Sequence, residues 1–175
     1  MYRIIFLATL LISGCGAQQV KDDVVLKVDD GVIILKARCS GISGSISINK
    51  VGRSAFGAMG YYTSPAVIKG CNDDEQIFSF KLKHGHYYIS QVIRGNSSLN
   101  YDDDSAYTFM VKPQLVNYIG DLVVSGGMGR ISSNGNAHHI NLRMYNKFDS
   151  FEYGSEENMK GLPKGLPLVN STAKK

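Results

Sequence analysis

The sequence predicts an all-β protein, a single antiparallel β-sandwich or partly closed barrel of about eight or nine strands. Three observations point there. Apolar and polar residues alternate over short segments, turn-forming pairs recur between them, and little of the chain carries helical periodicity.

The elements follow in chain order. Residues 24–28 and 32–36 are apolar runs flanking Asp29-Asp30-Gly31, and Asp-Gly tolerates the positive φ of a tight turn, so a hairpin is expected. Ile42, Ile46 and Ile48 alternate with Ser43, Ser45, Ser47 and Asn49, and Phe78, Phe80 and Leu82 with Ser79, Lys81 and Lys83. That is the pattern of half-buried strands. His84-Gly85 turns the chain into residues 86–93, and Tyr107, Phe109 and Val111 form another inward row. Residues 116–125 are apolar on both faces in part, which suits a central strand. Asn134-Gly135 predicts a two-residue hairpin turn into His138, Ile140, Leu142 and Met144 on one face.

A short helix fits only at residues 149–160, with Glu152 three residues after a capping Asp149 and Gly154 weakening it. Lys160-Gly161-Leu162-Pro163 then repeats as Lys164-Gly165-Leu166-Pro167. Two four-residue copies bury nothing, so the end reads as a surface-running or disordered tail.

The N-terminus has its own logic. Arg3 is followed by nine uncharged residues, 4–12, within the roughly 7–15 of a signal-peptide apolar region and short of the roughly 20 that span a bilayer. Ile12-Ser13-Gly14-Cys15 resembles the lipobox of bacterial lipoproteins. Small residues let an extended backbone enter a peptidase, and the Cys15 thiol is the atom that takes the lipid. The resemblance implies cleavage after Gly14 and acylation of Cys15. Several acyl chains on one residue anchor stably, where a single chain binds reversibly. Gly16-Ala17 follows, with no aspartate there, which by the same resemblance implies the outer membrane, with the domain facing the periplasm. The expected organisation is a signal peptide over 1–14, lipidated Cys15 and tether over 15–23, the sandwich over 24–147, and a C-terminal segment over 148–175 holding a short helix and then the tail.

Removing residues 1–14 takes away Arg3 alone, so net charge falls from +4 to +3. Nucleic-acid binders cluster Lys and Arg on one face, and no such cluster is evident in the sequence, so no nucleic-acid partner is expected. Cys39 and Cys71 remain once Cys15 is lipidated. An even pair in an oxidising compartment predicts a disulfide, with two buried thiols as the alternative.

Candidate chemistry is thin. His84 and His86 stand two apart, good chelating geometry in a strand, but Gly85 puts a turn between them; His138 and His139 point to opposite faces of a strand. Asp102-Asp103-Asp104 lacks the spaced oxygens of a calcium loop. Ser125-Gly126-Gly127-Met128-Gly129 has no Gly-Lys-Ser/Thr after it, and so reads as a flexible loop, as does the glycine-broken stretch 52–60. No metal and no cofactor are expected. Tyr61-Tyr62 and Tyr87-Tyr88 would each put one ring on each face, a thin hint of an interaction surface, with packing in the core and on the sheet face as the default reading.

Gly85-x-Tyr87-Tyr88, Phe109-x-Val111-x-Pro113 and Val116-x-Tyr118-Ile119-Gly120-x-Leu122 together resemble a pattern of uncharacterised bacterial lipoproteins of the DUF2846 type, over about residues 77–146. The resemblance implies a small transthyretin-like or carboxypeptidase-regulatory-like β-sandwich and carries no functional residues. With no nucleophile elbow and no zinc helix in the sequence, the expected role is non-enzymatic: binding or structural support in the envelope, through the membrane at Cys15 and an envelope protein partner. A periplasmic immunity or inhibitor protein is the alternative, using loops at 52–60, 96–105 and 125–129. An envelope hydrolase assembled from distant residues is the third.

Overall fold

The computed structural model describes residues 20, 24–40, 44–52, 64–94, 97–131, 135–151, 162 and 165–175. The expected signal peptide, Cys15 and most of the expected tether lie outside the described residues, as do Ile42, Tyr61, Tyr62 and Asn134.

Among the described residues ten strands form two five-stranded sheets, packed face to face as a sandwich and not closed into a barrel. They are β1 (Asp30–Cys39), β2 (Gly44–Lys50), β3 (Ala66–Cys71), β4 (Gln76–Lys83), β5 (Gly85–Arg94), β6 (Ser97–Asn100), β7 (Thr108–Val111), β8 (Val116–Ile131), β9 (Gly135–Tyr145) and β10 (Leu168–Asn170). One sheet runs β3-β2-β5, with β6 and β7 sharing the far edge of β5; the other runs β4-β1-β8, with β9 and β10 sharing the far edge of β8. Six of the pairings are antiparallel, but β8 runs parallel to both β1 and β10, so the second sheet is mixed.

Two strands, β5 and β8, carry a bulge near the point where the outer edge changes partner. In β5, register slips between Ile89 and Gln91, leaving Ser90 as the extra residue, whose hydroxyl donates to the Ser47 carbonyl at 3.2 Å. In β8, the slip falls at Ile119-Gly120 opposite Leu35. An extra residue restarts the inward–outward alternation and bends the strand. Val116 and Tyr118 therefore face outward, Ile119, Leu122 and Val124 inward, and Asp121 outward again beside Lys36. Gly120 sits at φ +120, and a Cβ there would lie 3.1 Å from the Tyr145 carbonyl oxygen.

The main core lies between the sheets, around Ile33, Leu35, Ile46, Ile48, Ile68, Phe80, Ile89, Val111, Ile119 and Leu122. Apolar burial at about 25 cal/mol per Å² drives this packing. A second cluster covers the outer face of the mixed sheet, where Val32, Ile34, Val116 and Tyr118 meet Val20, Phe151 and Leu162. That covering makes β1 apolar on both faces.

The same sheet order explains why the first hairpin does not form. Both edges of β1 are taken, by β4 and β8, so residues 24–29 have no edge to pair with and cross as a loop. The end of the chain differs from expectation too. Residues 168–170 form β10, Ser171 N donates to the Tyr118 carbonyl and Ala173 N to that of Ile119, while Thr108 and Lys174 exchange both backbone bonds. The expected tail thus stitches one sheet to the other along their open side, and Ala173 is buried in the core. Backbone N–H and C=O groups taken out of water need partners, and the free edges of β8 and β7 supply them here.

Two smaller expectations are corrected. Residues 125–129 are not a loop but part of β8, paired with β9 through backbone bonds that need no side chain. Gly135 is the first residue of β9, opposite Ile131, so three residues rather than two join that hairpin. Tyr87 and Tyr88 are both buried, as the default packing reading has it: Tyr87 stacks on Phe109, and Tyr88 stands opposite Asn49 of β2. At the expected helix only one 3-10 turn, Phe148–Ser150, is described; residues 152–160 lie outside.

Candidate functional site

Two cysteines end strands of opposite sheets. Cys39 closes β1 and Cys71 closes β3, and they are joined by a disulfide with Cα atoms 5.4 Å apart. The bridge is buried and ties the two sheets together at one end.

The densest chemistry outside the core lies on the outer face of the mixed sheet. Because β1 alternates, Lys36 and Arg38 point outward while Ala37 and Cys39 point into the core. The β8 bulge brings Asp121 level with Lys36, and β9 places Tyr145 opposite Asp121 and Arg143 opposite Val123. Glu75, just before β4, and Lys147, just after β9, complete the rim of a cleft of about 230 Å³. That is below the roughly 300–1,000 Å³ of a small-molecule pocket.

Its charges fall into pairs. Lys36 Nζ donates to Glu75 Oε1 at 2.9 Å, and Lys36, with help from Lys147 and Arg38, holds the Glu75 carboxyl below the ordinary carboxylate range. Asp121 is buried and accepts the Tyr118 hydroxyl at 2.6 Å, with Lys147 Nζ 3.6 Å from its other oxygen. Burial first, and that bond to a carboxylate second, push the Tyr118 hydroxyl well above the usual tyrosine range. Tyr118 is therefore a fixed donor that positions Asp121. Arg38 and Arg143 are exposed on either side of Val123, and neither makes an ion pair with a described residue. The face thus carries four cations, Lys36, Arg38, Arg143 and Lys147, against two carboxylates already committed to neighbours. It can take up an anionic group on its arginines, and both of its carboxylates are engaged rather than poised to act as a base.

The remaining candidates read from the sequence fall elsewhere. His84 and His86 are exposed at a corner between the sheets. His138 and His139 lie in β9 opposite Met128 and Gly127, with their side chains outside the described residues. Asp102 caps its own turn, accepting from Ser105 N at 3.0 Å and from the Ser105 hydroxyl, which lowers its pKa. Among the described residues no three His, Cys, Asp or Glu side chains gather as a metal site. A second groove of about 490 Å³ follows the seam between β7 and the C-terminal segment, lined by His86, Thr108, Lys112, Asn146, Asn170 and Lys174.

Sequence reasoning passed over the outer-face cleft. The signal was present: Asp121 is the one carboxylate inside an otherwise apolar run, and Lys36 and Arg38 stand two apart at the end of another. Comparison with known proteins gives no match: no family model fits the chain, and no curated protein or solved structure is significantly similar to it.

Proposed function

We propose that the chain is a lipoprotein of the bacterial outer membrane, anchored through lipid on Cys15 and facing the periplasm, with a non-enzymatic binding role. The observation that carries this reading is Ile12-Ser13-Gly14-Cys15 behind nine uncharged residues. Two structural features support it. The Cys39–Cys71 bridge suits an oxidising compartment. Val20, only five residues after Cys15, already bonds the folded body through its backbone N–H and the Ser79 carbonyl. So short a tether holds the domain against the membrane. The binding face is the outer face around the cleft, where Arg38 on its rim and Arg143, opposite Val123, are left to pair with an acidic segment of an envelope protein, since arginine binds carboxylates in a bidentate fork.

The test is in-cell crosslinking of tagged protein in its native envelope, with mass spectrometry of what co-purifies. Wild type is compared with Cys15→Ala and with Arg38→Glu/Arg143→Glu. One dominant partner, weakened in both variants, supports a tethered binding protein. A partner set unchanged by either variant, or none above background, overturns the binding role; membrane recovery of Cys15→Ala equal to wild type overturns the anchor.

A further inference from the structure

We infer that the end of the sandwich where β1 begins is a membrane-docking face, which rests an exposed valine pair and a ring of lysines on an anionic phospholipid surface. This deepens the lipoprotein reading and rests on it. The described residues hold few exposed large apolar side chains, and two stand apart: Val25 is 79% and Val28 77% exposed, against 42% for Tyr145, the next most exposed.

These valines project from a loop that is held in shape. Asp30 N bonds the Lys27 carbonyl at 2.8 Å, and the buried Asp30 carboxylate accepts Lys27 N at 2.9 Å. Gln114 Nε2 donates to the Lys27 carbonyl, His84 N to the Asp29 carbonyl, and Lys81 Nζ to that of Val25. Solvent-exposed valines on a restrained loop have lost the freedom to fold back, so their apolar surface is presented outward at little further entropic cost.

The surroundings have the matching charge. Three further turns reach the same end: residues 50–52, 83–85 and 112–115. They are linked by Lys50 Nζ to the His84 carbonyl, Val51 N to the His86 carbonyl and Gln114 N to the Asp30 carbonyl. Together they add Lys50, Lys83 and Lys112 to Lys27. Among the described residues of these four segments, Asp29 is the one exposed carboxylate, Asp30 being buried beside Lys81. The Asp102–Asp104 turn is set back from them beside the middle of β5, where Tyr101 N donates to the Ser90 carbonyl and Ile89 N to that of Tyr107. At the opposite end, among the residues whose side chains are described, Asp73, Asp74 and Glu75 offset Lys36, Arg38 and Lys69, while the described charges of the first end leave a positive excess. Apolar side chains ringed by lysines are what an anionic interface favours.

The tether permits it. Five residues from Cys15 to Val20 reach about 17 Å at most. Val20 sits beside Ser79, four strand residues or about 14 Å from Lys83 at the docking end. The acyl chains and the valines can therefore share one membrane plane.

The chain has no tryptophan, so Val28→Trp installs a single fluorescent reporter, with Asp74→Trp as the control at the far end. Both are made in the full mature chain carrying Cys15→Ala, which removes the lipid, and mixed with phosphatidylethanolamine vesicles with or without phosphatidylglycerol. Docking predicts a blue shift for Val28→Trp only, dependent on phosphatidylglycerol and reduced by salt. Lys27→Glu/Lys83→Glu on that background should cut partitioning by at least about 25-fold, at about five-fold per lysine. No shift at Val28→Trp, or an equal shift at Asp74→Trp, overturns the inference. Palmitate labelling of wild type against Cys15→Ala in cells reads the anchor separately. Labelling without a vesicle shift sinks the docking face and leaves the lipoprotein, whereas a shift without labelling keeps the face and sinks the anchor.

Discussion

Replacing Cys39 and Cys71 together by alanine opens the covalent link between the sheets. The bridge closes a loop with a sequence separation of 32 residues. In the chain-entropy treatment, a loop of that size withholds roughly 12 cal/mol/K from the unfolded chain, or about 4 kcal/mol at 25 °C. Both cysteines are buried, so alanine also leaves two small voids, and the loss should reach or slightly exceed that figure. For a domain of this size each kcal/mol moves Tm by roughly 2–4 °C, which gives a drop of about 8–16 °C. The assay is urea unfolding of residues 15–175 carrying Cys15→Ala, followed by circular dichroism. With a slope of about 2 kcal/mol/M the midpoint should fall by about 2 M. The slope itself should rise, because an uncrosslinked denatured chain expands and exposes more surface. Wild type unfolded and refolded under reductant supplies a second arm in which the thiols still fill their volume. A loss below about 1 kcal/mol in both arms, with an unaltered slope, would refute the argument that loop closure stabilises this sandwich.

Gly31→Ala should cost at least about 2–3 kcal/mol, because its Cβ would run into the Lys112 carbonyl oxygen and lie 3.2 Å from Asn117 Nδ2. Gly52→Ala, at φ +74 in open space, should cost only about 1 kcal/mol; equal losses in thermal melts would contradict the close approach. Tyr118→Phe removes the hydrogen bond to Asp121 and should cost about 2 kcal/mol at neutral pH. Since the Tyr118 pKa is raised on folding, its contribution is fully present below the unfolded value of about 10 and is lost as pH rises above it. The stability gap between wild type and Tyr118→Phe should therefore narrow from pH about 10 upward, and a gap constant across that range in pH-dependent urea titrations argues against the pair. Ala173→Asp would bury a carboxylate in the core beside the last backbone bonds of the chain, so a loss of about 3 kcal/mol or more is expected by urea unfolding. A change within about 0.5 kcal/mol would show that the C-terminal segment does not hold the sheets together.

Much of this fold was legible in the residues. Alternation identifies β2 through Ile46 and Ile48 and β4 through Phe78, Phe80 and Leu82, because side chains on a strand point to opposite faces in turn. The Asn134-Gly135 region marks the β8–β9 hairpin, off by one residue in its turn. Cysteine arithmetic pointed to the pairing of Cys39 with Cys71. The errors share one cause. Residues 24–28 and β10 have similar local apolar character, yet the first is a loop and the second a strand; what separates them is whether a sheet edge is free when the chain arrives. Residues 125–129 have the glycines of a loop, yet β9 lies beside them and they extend β8.

By itself the sequence determined the local terms: the apolar period of each strand, the glycine-bearing turns, the cysteines able to bridge, and the lipobox-like Ile12-Ser13-Gly14-Cys15, whose likeness needs no fold. Tertiary structure alone decided which strands are neighbours, that β8 runs parallel to β1, and that a bulge at Gly120 turns Asp121 outward to meet Tyr118, Lys36 and Lys147. It also decided that Val25 and Val28 stand exposed among lysines drawn from four separate segments. Period, turn and charge are properties of adjacent residues. Partnership across a sheet depends on which edges remain unpaired, and that is settled only when the whole chain has packed.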